Sequence, residues 1–151
     1  MSGRVWLLLG TLLLTLTANA QVLSFRVMGN PTLNVTNTSD YANGVTLSHN
    51  TLQMSLSGLT VYSLQVKAAG NLNSGMYSIP VSQVRLRVTN LSGATGGVTL
   101  NTAYQTLASF WTLLPAFNVP VTIEYKLAGG QEILRPGGAY TTTLTFLLTA
   151  Q

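Results

Sequence analysis

The strongest constraint on this chain is the strict alternation of apolar and polar side chains along short runs that are cut by glycine, asparagine and proline. In its last stretch Tyr140, Thr142, Leu144, Phe146 and Leu148 share one face of an extended strand. Thr141, Thr143, Thr145 and Thr149 share the other, with Leu147 the one bulky apolar exception there. The same period of two recurs upstream. Leu23, Phe25 and Val27 oppose Ser24 and Arg26, and Leu52, Met54 and Leu56 form a face of their own. Tyr62, Leu64, Val66 and Ala68 oppose Ser63, Gln65 and Lys67, and Val84, Leu86 and Val88 oppose Arg85 and Arg87. Val119, Val121, Ile123, Tyr125 and Leu127 oppose Thr122, Glu124 and Lys126. Successive side chains of a strand point to opposite faces, so a period of two places one face on a core and the other in water.

Turn signals separate these runs: Gly29, Asn30 and Pro31; Asn43 and Gly44; Gly70–Gly75; Ser92–Gly97; Gly129 and Gly130; Arg135–Gly138. Proline cannot donate to a ladder, and an Asn-Gly pair tolerates the positive φ of a tight turn. Leu33 and Val35 read as a short second strand that dissolves at Asn37–Asp40. Over 101–114 the spacing of Ala103, Leu107, Phe110 and Leu114 also suits a helix; the preferred reading is a short strand with an irregular excursion, ended by Pro115. With about eight or nine short strands and no alternation with helices, the expectation is an all-β fold, a single immunoglobulin-like antiparallel β-sandwich over 21–151, with a barrel as the alternative.

The first twenty residues read as a signal peptide. Arg4 gives a basic start, Val5–Thr17 an apolar stretch, and Ala18, Asn19 and Ala20 a small-x-small cleavage site. The stretch is shorter than the roughly 20 apolar residues of a spanning helix, so cleavage before Gln21 is expected and no membrane span in the mature chain. The expected location is exported, at the cell surface or extracellular, with a periplasmic stage in transit. Cysteine is absent, so stability must come from burial and strand pairing. Beyond Ala20 six cations (Arg26, Lys67, Arg85, Arg87, Lys126, Arg135) face three acids (Asp40, Glu124, Glu132), a net charge of 6 − 3 = +3. Only Arg85 and Arg87 lie close together, too little for a nucleic-acid footprint.

Catalysis needs groups that titrate or ligate, and few are present. His49 is the sole histidine, and a nucleophile-activating arrangement would have to draw on Asp40. Paired carboxylates would have to come from Asp40, Glu124 and Glu132, with Glu124 on a solvent face opposite Arg85 or Arg87. Neither a metal nor another cofactor is implied by this supply of ligands, and no enzyme is expected. Three Asn-x-Ser/Thr triplets, at Asn34, Asn37 and Asn90, are about what chance gives in a chain this rich in Asn, Ser and Thr. Trp111 stands beside Phe110 and just before Pro115 and Phe117. Its apolar neighbours favour packing in or under the core, with a platform for stacking a sugar ring as the functional alternative.

What remains is the chemistry of strands. Gln21–Met28 and Tyr140–Gln151 combine high β propensity with almost no charge. Either the two ends pair with each other inside one domain, or, as unblocked edges of that kind do, they template pairing with another chain. The ending from Pro136, Gly137, Gly138, Ala139 and Tyr140 through the alternating Thr/apolar run to Thr149 resembles the C-terminal strand of chaperone–usher pilus subunits. Many of those subunits carry a cysteine pair, which this chain lacks. The resemblance implies an exported immunoglobulin-like sandwich that polymerises by strand exchange with other copies of itself or related subunits, helped by an assembly chaperone. Trp111, Thr112 and Leu113 spell the motif of WxL-type bacterial surface domains, a second resemblance, which implies attachment to an envelope polymer. The residues expected to carry assembly are Leu23, Phe25, Val27, Tyr140, Leu144, Phe146 and Leu148. The alternative is a monomeric adhesion module that binds a surface glycan through Gly70–Gly75, Ser92–Gly97 and Trp111–Asn118, with Trp111 and Phe117 foremost.

Overall fold

Each clean period-two run forms a strand, and the strands assemble into two antiparallel sheets. The computed structural model describes residues 22–151, so the expected leader, its cleavage site and Gln21 lie outside the described residues. The strands are β1 (Val22–Val27), β2 (Val45–Leu56), β3 (Thr60–Ala68), β4 (Leu72–Ser74), β5 (Tyr77–Ile79), β6 (Val84–Val88), β7 (Val98–Thr99), β8 (Gln105–Thr112), β9 (Ala116–Leu127) and β10 (Leu144–Ala150). One sheet has the order β1-β2-β9-β6-β7, the other β10-β3-β8, and β4 and β5 form a separate hairpin.

The inward faces of the two sheets share one apolar core. Leu52, Met54, Leu64, Leu86, Leu107 and Ile123 are completely buried in it, and Tyr62 stacks on Phe110 with ring centroids 5.8 Å apart. Burying one such side chain stabilises the fold by about 1.5–3 kcal/mol, which is how a domain without disulfides holds together. The architecture is therefore the expected all-β antiparallel sandwich, with ten strands among the described residues. The additional ones are the β4–β5 hairpin, made from the polar turn around Gly70–Gly75, and the two-residue β7. Over 101–114, Gln105–Thr112 is indeed a strand, paired along β3.

Four local expectations change. In β1 the ladder to β2 skips a residue between Val22 and Ser24, so Leu23 is an unpaired bulge residue and points outward. Val22 and Phe25, rather than Leu23, then pack on the core, and Val27 is 56% exposed. Leu33 and Val35 form no strand; they belong to an irregular stretch over 28–36 that still lays both side chains against the core. Asn43 and Gly44 close no hairpin, because Asn37 caps a short helix, α1 (Thr38–Asn43), that ends at Gly44. The Asn37 side chain accepts from the Asp40 amide at 3.0 Å while the Asp40 carboxylate accepts from the Asn37 amide at 3.2 Å, a capping box. Finally, Tyr140 is not part of the last strand. Thr141 exchanges backbone bonds with Asn73 of β4, and the Thr142 hydroxyl donates to the Gly70 carbonyl at 2.8 Å, so ordered pairing with β3 starts only at Leu144.

Candidate functional site

Strand order puts the two uncharged terminal runs where sequence alone could not. Among the described residues β1 has a neighbour on one side only, β2, and β10 has one only, β3. These edges belong to different sheets, yet β1 and β10 approach each other across the same flank of the sandwich without a shared ladder. The flank is therefore closed by side chains and left open at the level of backbone.

The register tells which groups face the opening. The Thr143 carbonyl accepts from Ala69 and the Gln151 amide donates to Val61, both toward the β3 side. With an unbroken antiparallel register between them, the backbone groups of Leu144, Phe146, Leu148 and Ala150 point to the outer edge. Their side chains alternate with Thr145 and Leu147 and rest half-buried against the core. β10 contains no proline, bulge or charge, the usual devices that blunt an edge.

Beside this edge a groove of 940 Å³ opens between the sheets. Leu144 and Phe146 line one wall, Leu33 and Ile133 another, and Thr51 and Tyr125 lie in its floor. The ladder from β2 to β9 shifts between Asn50 and Leu52, which turns the bulge residue Thr51 into the interior. Its hydroxyl lies 2.8 Å from the Tyr125 hydroxyl and 3.0 Å from His49 Nδ1. Burial pushes the Tyr125 phenol up to about 12, against a smaller opposing effect of the Thr51 hydrogen bond. Of the residues expected to carry assembly, Val27, Tyr140, Leu144 and Phe146 meet at this groove. Phe25 and Leu148 pack on the core nearer the other end of the strands, and Leu23 turns away.

The remaining ionisable groups are dispersed. Asp40 accepts from the Thr36 amide at 2.7 Å and the Thr36 hydroxyl at 3.0 Å, which hold its carboxyl below the usual range. It serves the helix cap, while His49 engages Thr51, so the two do not form a catalytic pair. Glu124 meets Arg87 at 3.1 Å across β9 and β6, and Glu132 meets Arg135 at 4.0 Å. Lys67 extends over the Tyr104 ring, 4.6 Å from its centroid. Among the described residues no three of His, Asp and Glu gather into a metal-holding group.

Trp111 departs from the packed role favoured by its apolar neighbours: it is 59% exposed, and Phe117 is 65% exposed. Phe110 takes the inward position on β8, and alternation turns Trp111 outward beside its exposed cross-strand partner Val61. The ladder shift between Met54 and Leu56 does the same for Phe117, with Asn118 at φ 53. The Thr51–Tyr125 pair was not legible in sequence, since Thr51 follows no inward alternation. The Asn37-x-x-Asp40 spacing was the available signal for the helix cap. Comparison with protein families, curated proteins and solved structures finds no match to this chain.

Proposed function

We propose that this chain is a non-enzymatic structural subunit of a bacterial surface appendage or matrix, assembling by β-strand addition between molecules. The observation that carries the reading is the free outer edge of β10, uncharged over 140–151, beside a groove floored by core side chains. An extended segment of another copy can bond to the outward backbone groups of Leu144, Phe146, Leu148 and Ala150 while its alternate side chains fill the groove. Such contacts are main-chain contacts, which need no reactive side chain. An exported location agrees with the leader-like start of the sequence. Glycan recognition through Trp111 and Phe117 has less support. Beside Trp111 the exposed residues of the paired strand and the following turn, Val61, Leu113, Leu114 and Pro115, are apolar, and the exposed polar side chains in reach are limited to such residues as Ser109 and Asn118.

Electron microscopy of the purified chain, with gels run on unboiled samples, tests the reading: fibres or a heat-sensitive ladder are expected. Thr145→Lys with Leu147→Lys places charge on the solvent face of the edge strand and spares the core. It should suppress assembly while the monomer melts within a few degrees of wild type. A chain that stays monomeric at high concentration, or a double variant that assembles like wild type, sinks the proposal.

A further inference from the structure

At the opposite end from the groove the sandwich carries an apolar apex. Two turns meet there, one joining β2 to β3 and one joining β8 to β9; a Cβ placed on Gly58 would lie 2.7 Å from the Leu113 carbonyl. From these turns project Leu59, Leu113 and Leu114, which are 75%, 55% and 72% exposed. Trp111 flanks them on the three-stranded sheet and Phe117 on the five-stranded one. No charged side chain occurs over 54–66 or over 88–123; Arg26 of β1 bonds to Gln53, whose amide donates to the Asn118 carbonyl beside Phe117. Leu59 is held at φ 59, a left-handed backbone unfavourable for leucine, and gains no burial in return.

We infer that this apex is a site of attachment to the surface of a lipid bilayer, with the leucines inserted and the two aromatic rings at headgroup level. Two observations choose a bilayer over a protein or a sugar. The leucines project from turns, and the aromatic residues stand on both sides of them, whereas a macromolecular partner or a sugar ring would engage one face. Aromatic residues flanking an apolar tip match the interfacial preference of Trp. The attachment uses turns rather than the free edge of β10, so it stands apart from the assembly reading.

The described strands and core lie within 22–151, and the test uses a chain starting at Gln21. That chain retains a single tryptophan, Trp111, because the other is Trp6. With phosphatidylcholine vesicles it should co-float, its emission should shift to the blue, and brominated lipid should quench it. Binding should persist at high salt, since the side chains that insert carry no charge. Leu113→Ser with Leu114→Ser should lower partitioning more than about tenfold. Leu59→Asn should also weaken it while leaving the fold at least as stable, because Asn tolerates positive φ. Failure to float, loss of binding in salt, or undiminished binding by these variants overturns the inference. So does dimerisation abolished by Leu114→Ser, or a Trp111 shift with soluble oligosaccharide, when vesicles do not bind.

Discussion

Replacing Tyr125 by Phe removes one buried hydroxyl and one buried titratable group, and the two losses act in opposite directions along the pH axis. At neutral pH the variant loses the 2.8 Å bond to Thr51. Thr51 keeps its 3.0 Å neighbour His49 Nδ1 and is not orphaned, so the cost should be that of one net hydrogen bond, about 1 kcal/mol. At alkaline pH the wild type carries the penalty. Its phenol is pushed from the ordinary 10.0 up to about 12 by burial, so the unfolded chain releases the proton first. A group whose pKa is raised by folding contributes its full stability below the unfolded value and loses it as pH rises through the folded one. The window is therefore pH 10 to 12. Linkage at 1.36 kcal/mol per unit gives a loss of about 1.4 kcal/mol by pH 11 and about 2.3 kcal/mol by pH 12. The stability curves of wild type and Tyr125→Phe should then cross near pH 10.7, with the variant the more stable above it. Urea unfolding at fixed temperature from pH 7 to 12 measures the difference directly, since other tyrosines are common to both chains and there is no cysteine to react in base. A difference that stays constant over the range would refute the assignment of Tyr125 as a buried, protonated, hydrogen-bonded phenol.

Asn37→Ala removes the helix N-cap and should cost about 1 kcal/mol in urea unfolding, with faster amide exchange confined to Asp40 and its neighbours. Gly44→Ala forces a side chain onto φ 77 and drives its Cβ into the Leu127 carbonyl; it should cost more than about 3 kcal/mol and lower Tm accordingly. Leu86→Ala hollows a fully buried position of β6 and should cost about 2–5 kcal/mol. Arg87→Ala breaks an exposed pair with Glu124 and should change stability by less than about 1 kcal/mol, so a larger loss in thermal melts would show the pair to be poorly screened.

The core strands could be read from the chain because their side chains obey a period of two without interruption. Leu52, Met54, Leu64, Val66, Leu86, Ile123 and Tyr125 fall inward as alternation requires. Wherever a ladder slips by one residue, that rule loses its phase. The bulge at Leu23 and the shifts at Thr51 and near Phe117 turn side chains to faces that local pattern assigns wrongly, and partner strands distant in sequence set those slips. Trp111 shows a different limit. Its apolar neighbours suggested packing, yet strict alternation after the buried Phe110 exposes it, and no local signal tells how much apolar surface an end of the sandwich leaves uncovered. The sequence by itself thus determined the sheet class, the inward faces and the uncharged character of Tyr140–Gln151. That β10 lies at an edge next to β1, its outer backbone groups without a partner strand among the described residues and beside a groove, was decided only by tertiary structure. The physical reason is that a strand's faces follow from its own side chains, whereas its neighbours follow from a competition among all strands for the same hydrogen bonds.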